Sequence, residues 1–588
     1  MKVTFARLGG LAAIPCAETR ASHRSLRAGG ELNERTHMRI RGRGLAMGAV
    51  AAAAALTLAA CGSDSGNEGD SASPSAKAGG TYSFGMQTPQ DLTPSNCYDL
   101  YCANILQGVF TGLFTFQTEG TSMKTVPTPL LKSVSTPDEG TTYVLEINPG
   151  NKFTNGEAVT AQTFVDTWNF TANGGNGQQL GFIFGPTQLN VEGYDAVADE
   201  KSTDGTMSGL SATSDTTIQI KLAAPMGQTL FENYLAGPQV LPMPSTAFED
   251  IVAFNKLPIG NGPYKFKEAW GTTGATLVRN ADYGYTPGNA DQIDFRFYAD
   301  DNALWADIQA NNLDVAEYLP STALSQAQAV LGDRFINQTA MSFSYGAYPT
   351  QVEAFKNRDV RVALAKAVDW AEISNKVYFD TRVAATSFAP STIPGGGGDV
   401  CGDDCTYDPA AAKALLEKAG GIPGDKVAIG GLSNSENLGP KAECNFIQQS
   451  LGITCEVKLF EDFGAQLDAF NKLGPDDEGF ILGLGWGADN PTLANMIAPL
   501  FGTGAGSNYT GYSNAEFDKL IAAGNTAADE QTAISNWQNA EKVLYADFAG
   551  HATQWRNNVG AYSTNVSNVK VNPGGFYNIA EIVVNNAG

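Results

Sequence analysis

The sequence predicts a mixed α/β protein whose body, from about residue 81 onward, folds as two or three lobes. Strand-like and helix-like apolar periodicities alternate along that body, with no internal repeat. At some 500 residues the body exceeds what one hydrophobic core organises, since single cores stop growing at roughly 250–300 residues. The composition of the whole chain, 43% hydrophobic and 10% aromatic, is that of a chain able to fill such cores.

The elements follow in order. Residues Thr142 through Ile147 read as a strand closed by the turn pair Pro149-Gly150. Thr160 is placed to cap a helix through Ala161, Phe164, Val165 and Trp168. Ile218, Ile220 and Leu222 alternate with Thr217, Gln219 and Lys221, the pattern of a half-buried strand. Asp359 precedes a helix whose apolar positions Val360, Leu364, Ala367 and Ala371 keep helical spacing. Asp408-Pro409 is an N-cap followed by proline at the first helical position, and Gly420-Gly421 ends that helix. The last long helix covers about 529–548. The glycine runs 174–177 and 395–398 do not open a helix after a strand, so they read as connections or lids and not as phosphate cradles.

Near the N-terminus, Arg39, Arg41 and Arg43 precede an apolar stretch, 45–58, that is too short to span a bilayer. Leu58-Ala59-Ala60-Cys61-Gly62 and a polar run follow, an order similar to a bacterial lipoprotein export signal with Cys61 as the lipid-modified residue. Such signals begin at the N-terminus, so Met38 is the expected start and residues 1–60 divide into a leader and a signal peptide. Residues 61–80 then form the lipidated cysteine and a flexible linker reaching roughly 25 Å. Residues 1–60 hold nine of the 37 basic and three of the 61 acidic side chains. The remainder therefore carries a net charge of −30, which repels phosphate backbones and argues against a nucleic-acid partner. No later apolar run is long enough to cross a membrane.

Apart from Cys16 and Cys61, six cysteines fall into local couples: Cys97/Cys102, Cys401/Cys405 and Cys444/Cys455. In an oxidising compartment these read as three short-loop disulfides, among fifteen formal pairings. A metal site is poorly supported, because the body has one histidine, His551, and no Cys-x-x-Cys. No cofactor signature is present, since Gly483-x-Gly485-x-Gly487 lacks a following dinucleotide-site helix and reads as close backbone or ligand approach. No catalytic residues stand out: there is no Gly-x-Ser-x-Gly elbow, and His551 reads as a packed structural residue.

Several segments, in order, resemble a known family. Gln107-Gly108-Val109-Phe110-Thr111-Gly112-Leu113-Phe114 is followed by Lys152-Phe153-Thr154-Asn155-Gly156-Glu157-Ala158-Val159-Thr160-Ala161, then Gly260-Asn261-Gly262-Pro263-Tyr264 and Arg279-Asn280-Ala281-Asp282-Tyr283. Asp359-Val360-Arg361-Val362-Ala363-Leu364, Gly485-Trp486-Gly487-Ala488-Asp489-Asn490 and Gly511-Tyr512-Ser513-Asn514 complete the set. Together they resemble the family 5 extracytoplasmic solute-binding proteins of oligopeptide and dipeptide ABC transporters. The resemblance implies a three-lobed periplasmic-binding-protein-like fold (type II, cluster C) with two lobes closing over a ligand cleft. It places 81–110, 243–340 and 558–588 in lobe I, 111–242 in lobe II and 341–557 in lobe III. It also implies a peptide or peptide-like solute, ABC permease subunits and, through the anchor, the outer face of the cell membrane as partners, with monomer the usual state.

By the same resemblance Asp489 receives a ligand's ammonium group, although as residues Asp489-Asn490-Pro491 could be a turn with an exposed acid. Trp486 walls the ligand or sits in the core. Gly485 and Gly487 let ligand backbone approach the strand, as strand-addition recognition requires. Tyr345, Tyr348 and Phe388 fall on segments that line the cleft in relatives, with aromatic core the equal alternative. No arginine lies just before Trp486, so a ligand carboxylate has no evident partner. The same fold could hold an oligosaccharide, siderophore or cationic metabolite. The alternatives of other classes are an anchored hydrolase, which would need His551, and an adhesion module.

Overall fold

The computed structural model describes residues 79–201 and 205–585. Met38, Cys61 and nearly all of the 61–80 linker lie outside the described residues. Nine strands form the main sheet: β1 (Thr81–Met86), β2 (Tyr264–Phe266), β3 (Gly274–Arg279), β4 (Gln292–Phe297), β5 (Val315–Ala316), β6 (Phe335–Ala347), β7 (Arg382–Ala384), β8 (Leu482–Gly487) and β9 (Gly550–Tyr562). Their order is β8-β6-β9-β5-β1-β4-β3-β2, with β7 also paired to β9. β1 runs parallel to β4 and β5, while the long strands β6 and β9 are antiparallel.

β6 and β9, each of 13 residues, tie the two ends of the sheet together. Near Phe335 they carry β5, and near Ala347 they carry β8. Their register shifts between Thr339 and Phe343, a break in the ladder that bends the strand pair where one end gives way to the other. The ends belong to different hydrophobic cores. Phe84 packs 5.5 Å from Phe295 and edge-on to Tyr577 in the first. Phe343, Phe388, Phe501 and Tyr545 meet in the second.

The first core extends under a separate antiparallel sheet ordered Leu131–Ser135, Thr142–Ile147, Thr217–Lys221, Leu210–Ser214. Its helix Ala161–Ala172 begins where Thr160 and Thr163 cap each other reciprocally, and buries Trp168, whose indole N–H donates to Val240 O. Asp408 caps Pro409–Lys418 through the Ala411 N–H, and Gly420 and Gly421 end it with φ of +91° and +79°. Asp529 caps Glu530–Asp547. The helix expected to begin after Asp359 begins two residues earlier, at Arg358, and ends at Lys366, so that Ala371 falls in a second helix, Trp370–Tyr378. Asn357 accepts from the Asp359 N–H, and the Asp359 carboxylate pairs with Lys418. Asparagine is as good a cap as aspartate, so the hydrophobic spacing alone left the boundary open.

The three local cysteine couples are all bonded: Cys97–Cys102, Cys401–Cys405 and Cys444–Cys455. Among the described residues no helix is long and apolar enough to cross a membrane, and no cluster of metal-binding side chains occurs.

Two buried carboxyls set a pH dependence. Glu317 accepts from Asn104 through one oxygen, and burial raises its pKa to about 8. Glu541 accepts from the Phe388 N–H and is raised by burial to about 7. The unfolded chain releases these protons near 4.5, so their contribution is fully present below that pH and is lost as pH rises through 7–8. His551, lowered to about 4 by burial, acts oppositely, losing stability as pH falls from 6.5 through 4. Thermal stability should therefore fall between pH 6.5 and 8, by up to ~1.4 kcal/mol per pH unit per carboxyl. Melting scans of Glu317→Gln against wild type check this. The variant should show a shallower decline over that window, and an unchanged slope would contradict the assignment.

Candidate ligand cleft

β8 is the edge strand of the main sheet, and its sequence Leu-Gly-Leu-Gly-Trp-Gly divides by face. Leu482 and Leu484 are buried, whereas Gly483, Gly485 and Gly487 are exposed. Just before the strand, Ile481 is held by Lys426–Leu432: the Ile481 N–H donates to Ala428 O and the Gly430 N–H to Ile481 O. From Gly483 to Gly487 no described strand pairs with the outer edge. An unpaired backbone edge on a strand that carries no side chains of its own on one face is what an added extended strand requires.

Trp486 faces the other way. It is half-buried, and its indole N–H donates 2.8 Å to Asn495 O. Asn495 also accepts the Asp489 N–H through Oδ1 at 3.0 Å. Thr492 caps the helix Leu493–Phe501 and donates its hydroxyl to Asn490, which is buried. The segment Asp489–Thr492 is therefore a capped turn, and the turn fixes where the Asp489 carboxylate stands.

That carboxylate is open to water yet crowded by protein. Desolvation raises its pKa, and the Asn495 hydrogen bond partly offsets the rise. No described lysine or arginine lies within ion-pair distance of it. Tyr234, at the end of the helix Gln228–Tyr234, is close enough to respond. Its pKa is pushed up to about 12, first by burial and then by the Asp489 charge. Tyr234 packs on the first core and Trp486 on the second, so Asp489 stands where elements of the two cores face each other. A cavity of about 130 Å³ lies beside it, lined by Asn233, Pro491 and Thr492 among others. The more apolar cavity of about 400 Å³ near Phe114, Leu241 and Phe576 includes none of these groups.

Gly485 has a neighbour that the sequence did not point to. A Cβ on Gly485 would lie 2.2 Å from Arg556 Nη2 and 2.6 Å from Cζ, so the Arg556 guanidinium occupies the space the glycine leaves. Arg556 Nε donates 2.9 Å to Ser344 Oγ, and Ser344 pairs with Gly485 across the ladder. Arg382, opposite Arg556 in the β7–β9 pairing, donates to the same hydroxyl and to Gln554 Oε1, both at 3.3 Å, while stacking 3.6 Å over Tyr378. Burial lowers both pKa values, that of Arg382 to about 10. Their distance along the chain from Gly485 hid them, and the only local signal was a lone arginine in each strand.

Tyr345, Tyr348 and Phe388 are not at this surface. They are 3%, 1% and 0% exposed and pack in the second core, where Tyr345 and Phe388 contact Phe501 and Tyr348 donates to Arg361 O. Their stretches are fully buried, so aromatic character there marks the core. His551 is also enclosed, in a three-ring cluster with Tyr348 and Phe548, with Nδ1 3.2 Å from the Tyr348 hydroxyl. At 3% exposure its ring is part of the core and not of a surface.

The comparisons with known proteins fit this geometry. Residues 125–508 match the model of bacterial extracellular solute-binding proteins, family 5 Middle. The dipeptide-binding protein DppE of Bacillus subtilis is 26% identical over 454 residues, covering 74% of this chain and 80% of its own. Among solved structures, clavulanic acid biosynthesis oligopeptide binding protein 2 aligns with a TM-score of 0.74 at 20% identity, over 87% of this chain and 96% of its own. The murein tripeptide binding protein MppA in its unliganded open form gives 0.73 at 19%, over 87% and 99%. The fold is that of the type II periplasmic binding proteins, and the chain belongs to the bacterial extracellular solute-binding proteins of family 5.

Proposed function

We propose that this protein is a lipid-anchored receptor that captures an oligopeptide and delivers it to an ABC permease. The observation that carries the reading is Asp489, an unpaired and crowded carboxylate at the end of a glycine-faced free edge. A peptide laid along β8 would exchange backbone hydrogen bonds with that edge and place its ammonium group against Asp489. In a water-poor cleft that charge-assisted hydrogen bond is stronger than in solvent. The names of DppE and of the oligopeptide- and tripeptide-binding structures support a peptide as the ligand.

The division is lobe I (81–110, 243–340, 558–588), lobe II (111–242) and lobe III (341–557); the second core, drawn almost wholly from 341–557, supports the separation of lobe III, while lobes I and II share the first core. β6 and β9 would then be the hinge strands between lobes I and III. Closure is driven only by the ligand's preference for the closed form, so contacts made to both lobes at once determine it. Cys61 would hold the receptor at the outer membrane face, with the 62–80 segment as its leash.

Two outcomes check the reading. Asp489→Asn should weaken binding of free-amine peptides by about 10- to 100-fold, the span of a charged hydrogen bond, with little effect on N-acetylated peptides. Wild-type affinity should also fall as pH drops through the raised Asp489 pKa, because the protonated carboxyl no longer pairs with an ammonium; the Asn variant should lack that dependence. Calorimetry across pH measures both, and equal binding of acetylated and free peptides would remove Asp489 from the role. Separately, Cys61→Ser should move the protein from the membrane to the soluble fraction. Unchanged membrane association would contradict the anchor.

A further inference from the structure

The apolar cavity of about 400 Å³ near Phe114, Leu241 and Phe576 plays no part in the peptide cleft, since Asp489, Trp486 and Gly485 are not among its walls. Its place follows from the path of the chain. After the helix Leu100–Val109 the chain runs through Phe110, Thr111 and Gly112 into the hairpin of Phe114–Glu119 with Ser122–Pro127. The return toward lobe I passes Ala236, Gly237 and Leu241. Both crossings between lobes I and II, as divided above, therefore form walls of one cavity. The walls grade from buried to open: Phe110 and Phe114 are each 3% exposed, whereas Thr115, Gln117 and Glu581 face water. Five prolines, at 127, 129, 238, 263 and 287, stiffen these walls, because each fixes its own φ.

A preformed, mostly apolar hollow with a few polar groups is the usual form of a small-molecule site. Here the apolar part is largely aromatic. Phe116 and Phe576 stack with ring centroids 6.1 Å apart and 24° between their planes. Tyr283 adds a further ring, its hydroxyl held 2.9 Å from Thr111 Oγ1. The polar part is rich in unspent acceptors. Gln107 donates Nε2 to Asn104 Oδ1 and Tyr577 O, and no described donor meets its Oε1. Asn289 donates Nδ2 to Glu581 O, and no described donor meets its Oδ1. Glu581 is the one charged residue among the described residues of the walls. Its carboxylate accepts from Asn578 at 3.3 Å, and no described lysine or arginine lies within ion-pair distance of it. Aromatic rings, free acceptors and a single negative charge complement a flat apolar body that carries N–H donors and a positive charge.

We infer that this cavity is a second ligand site, at the junction of lobes I and II, and that it takes an aromatic amine in its ammonium form. The rings hold the apolar body. Glu581, with the free carbonyls of Gln107 and Asn289, holds the ammonium group. The strongly acidic body of the protein favours the approach of such a cation. The site uses no residue of the peptide cleft, so it stands or falls separately from the peptide reading.

Calorimetric titration of the purified protein with tryptamine, and with tryptophol as its neutral alcohol counterpart, tests this. Tryptamine should bind about 2- to 5-fold more tightly than tryptophol, the span of a solvent-exposed charge pair, and the difference should shrink at high salt. Glu581→Gln should erase the difference and leave tryptophol binding unchanged, which a merely structural defect would not do. Phe576→Ala should weaken both compounds by about 3- to 10-fold through the lost ring contact. Should Phe576→Ala not fold, Ala236→Trp fills the cavity from a half-buried wall position and should block both compounds. Asp489→Asn, which removes the other carboxylate able to receive an amine, should leave both affinities as they are.

Absence of binding by both compounds overturns the site and leaves the cavity a packing gap between lobes. Equal binding of amine and alcohol by the wild type removes the ammonium group from the assignment. Loss of tryptamine binding in Asp489→Asn places the amine in the peptide cleft and overturns the second site, as does binding that Phe576→Ala and Ala236→Trp both leave unchanged. None of these results bears on peptide capture, which the Asp489 and acetylation tests decide.

Discussion

The cleft depends on the long antiparallel pairing of β6 with β9. These strands connect the two hydrophobic cores, carry β5 at one end and β8 at the other, and slip register between Thr339 and Phe343 where the two halves meet. Because β8 is registered only against β6 over its last residues, Ser344 opposite Gly485 fixes which face of β8 is open. Ser344 also fixes where Arg556 and Arg382 stand. A one-residue slip of β8 would turn Leu484 and Trp486 outward and bury the glycines, and the edge would cease to be a binding surface.

Around this frame the charges follow a simple division. Most ion pairs lie at the surface, where each contributes little. Charges in the cleft are left without partners: Asp489 beyond one end of the strand, the two arginines over its middle. Leaving such groups unpaired costs stability in the empty protein. Their remaining solvent access limits that cost, and a ligand of complementary charge relieves it.

Local chemistry was the legible part of the sequence. Thr160, Asp408-Pro409 and Asp529 set helix starts because capping needs only neighbouring residues, and the cysteine couples paired within short loops. Ordered motifs across the body were enough to identify the family. The cap expected at Asp359 lies two residues earlier because Asn357 caps equally well. What needs the tertiary fold was not legible. Periodicity cannot tell whether Tyr345 and Phe388 look into a cleft or a core, and the meeting of Arg556 with Gly485 depends on two strands far apart in the chain.

Native mass spectrometry of the purified protein, followed by denaturing release and sequencing of whatever it carries, tests peptide capture directly. A peptide receptor should release a set of short peptides with free amino groups, retained by the wild type and absent from Asp489→Asn. A single sugar, siderophore or other non-peptide mass in the cleft would keep the fold and contradict the function proposed for it.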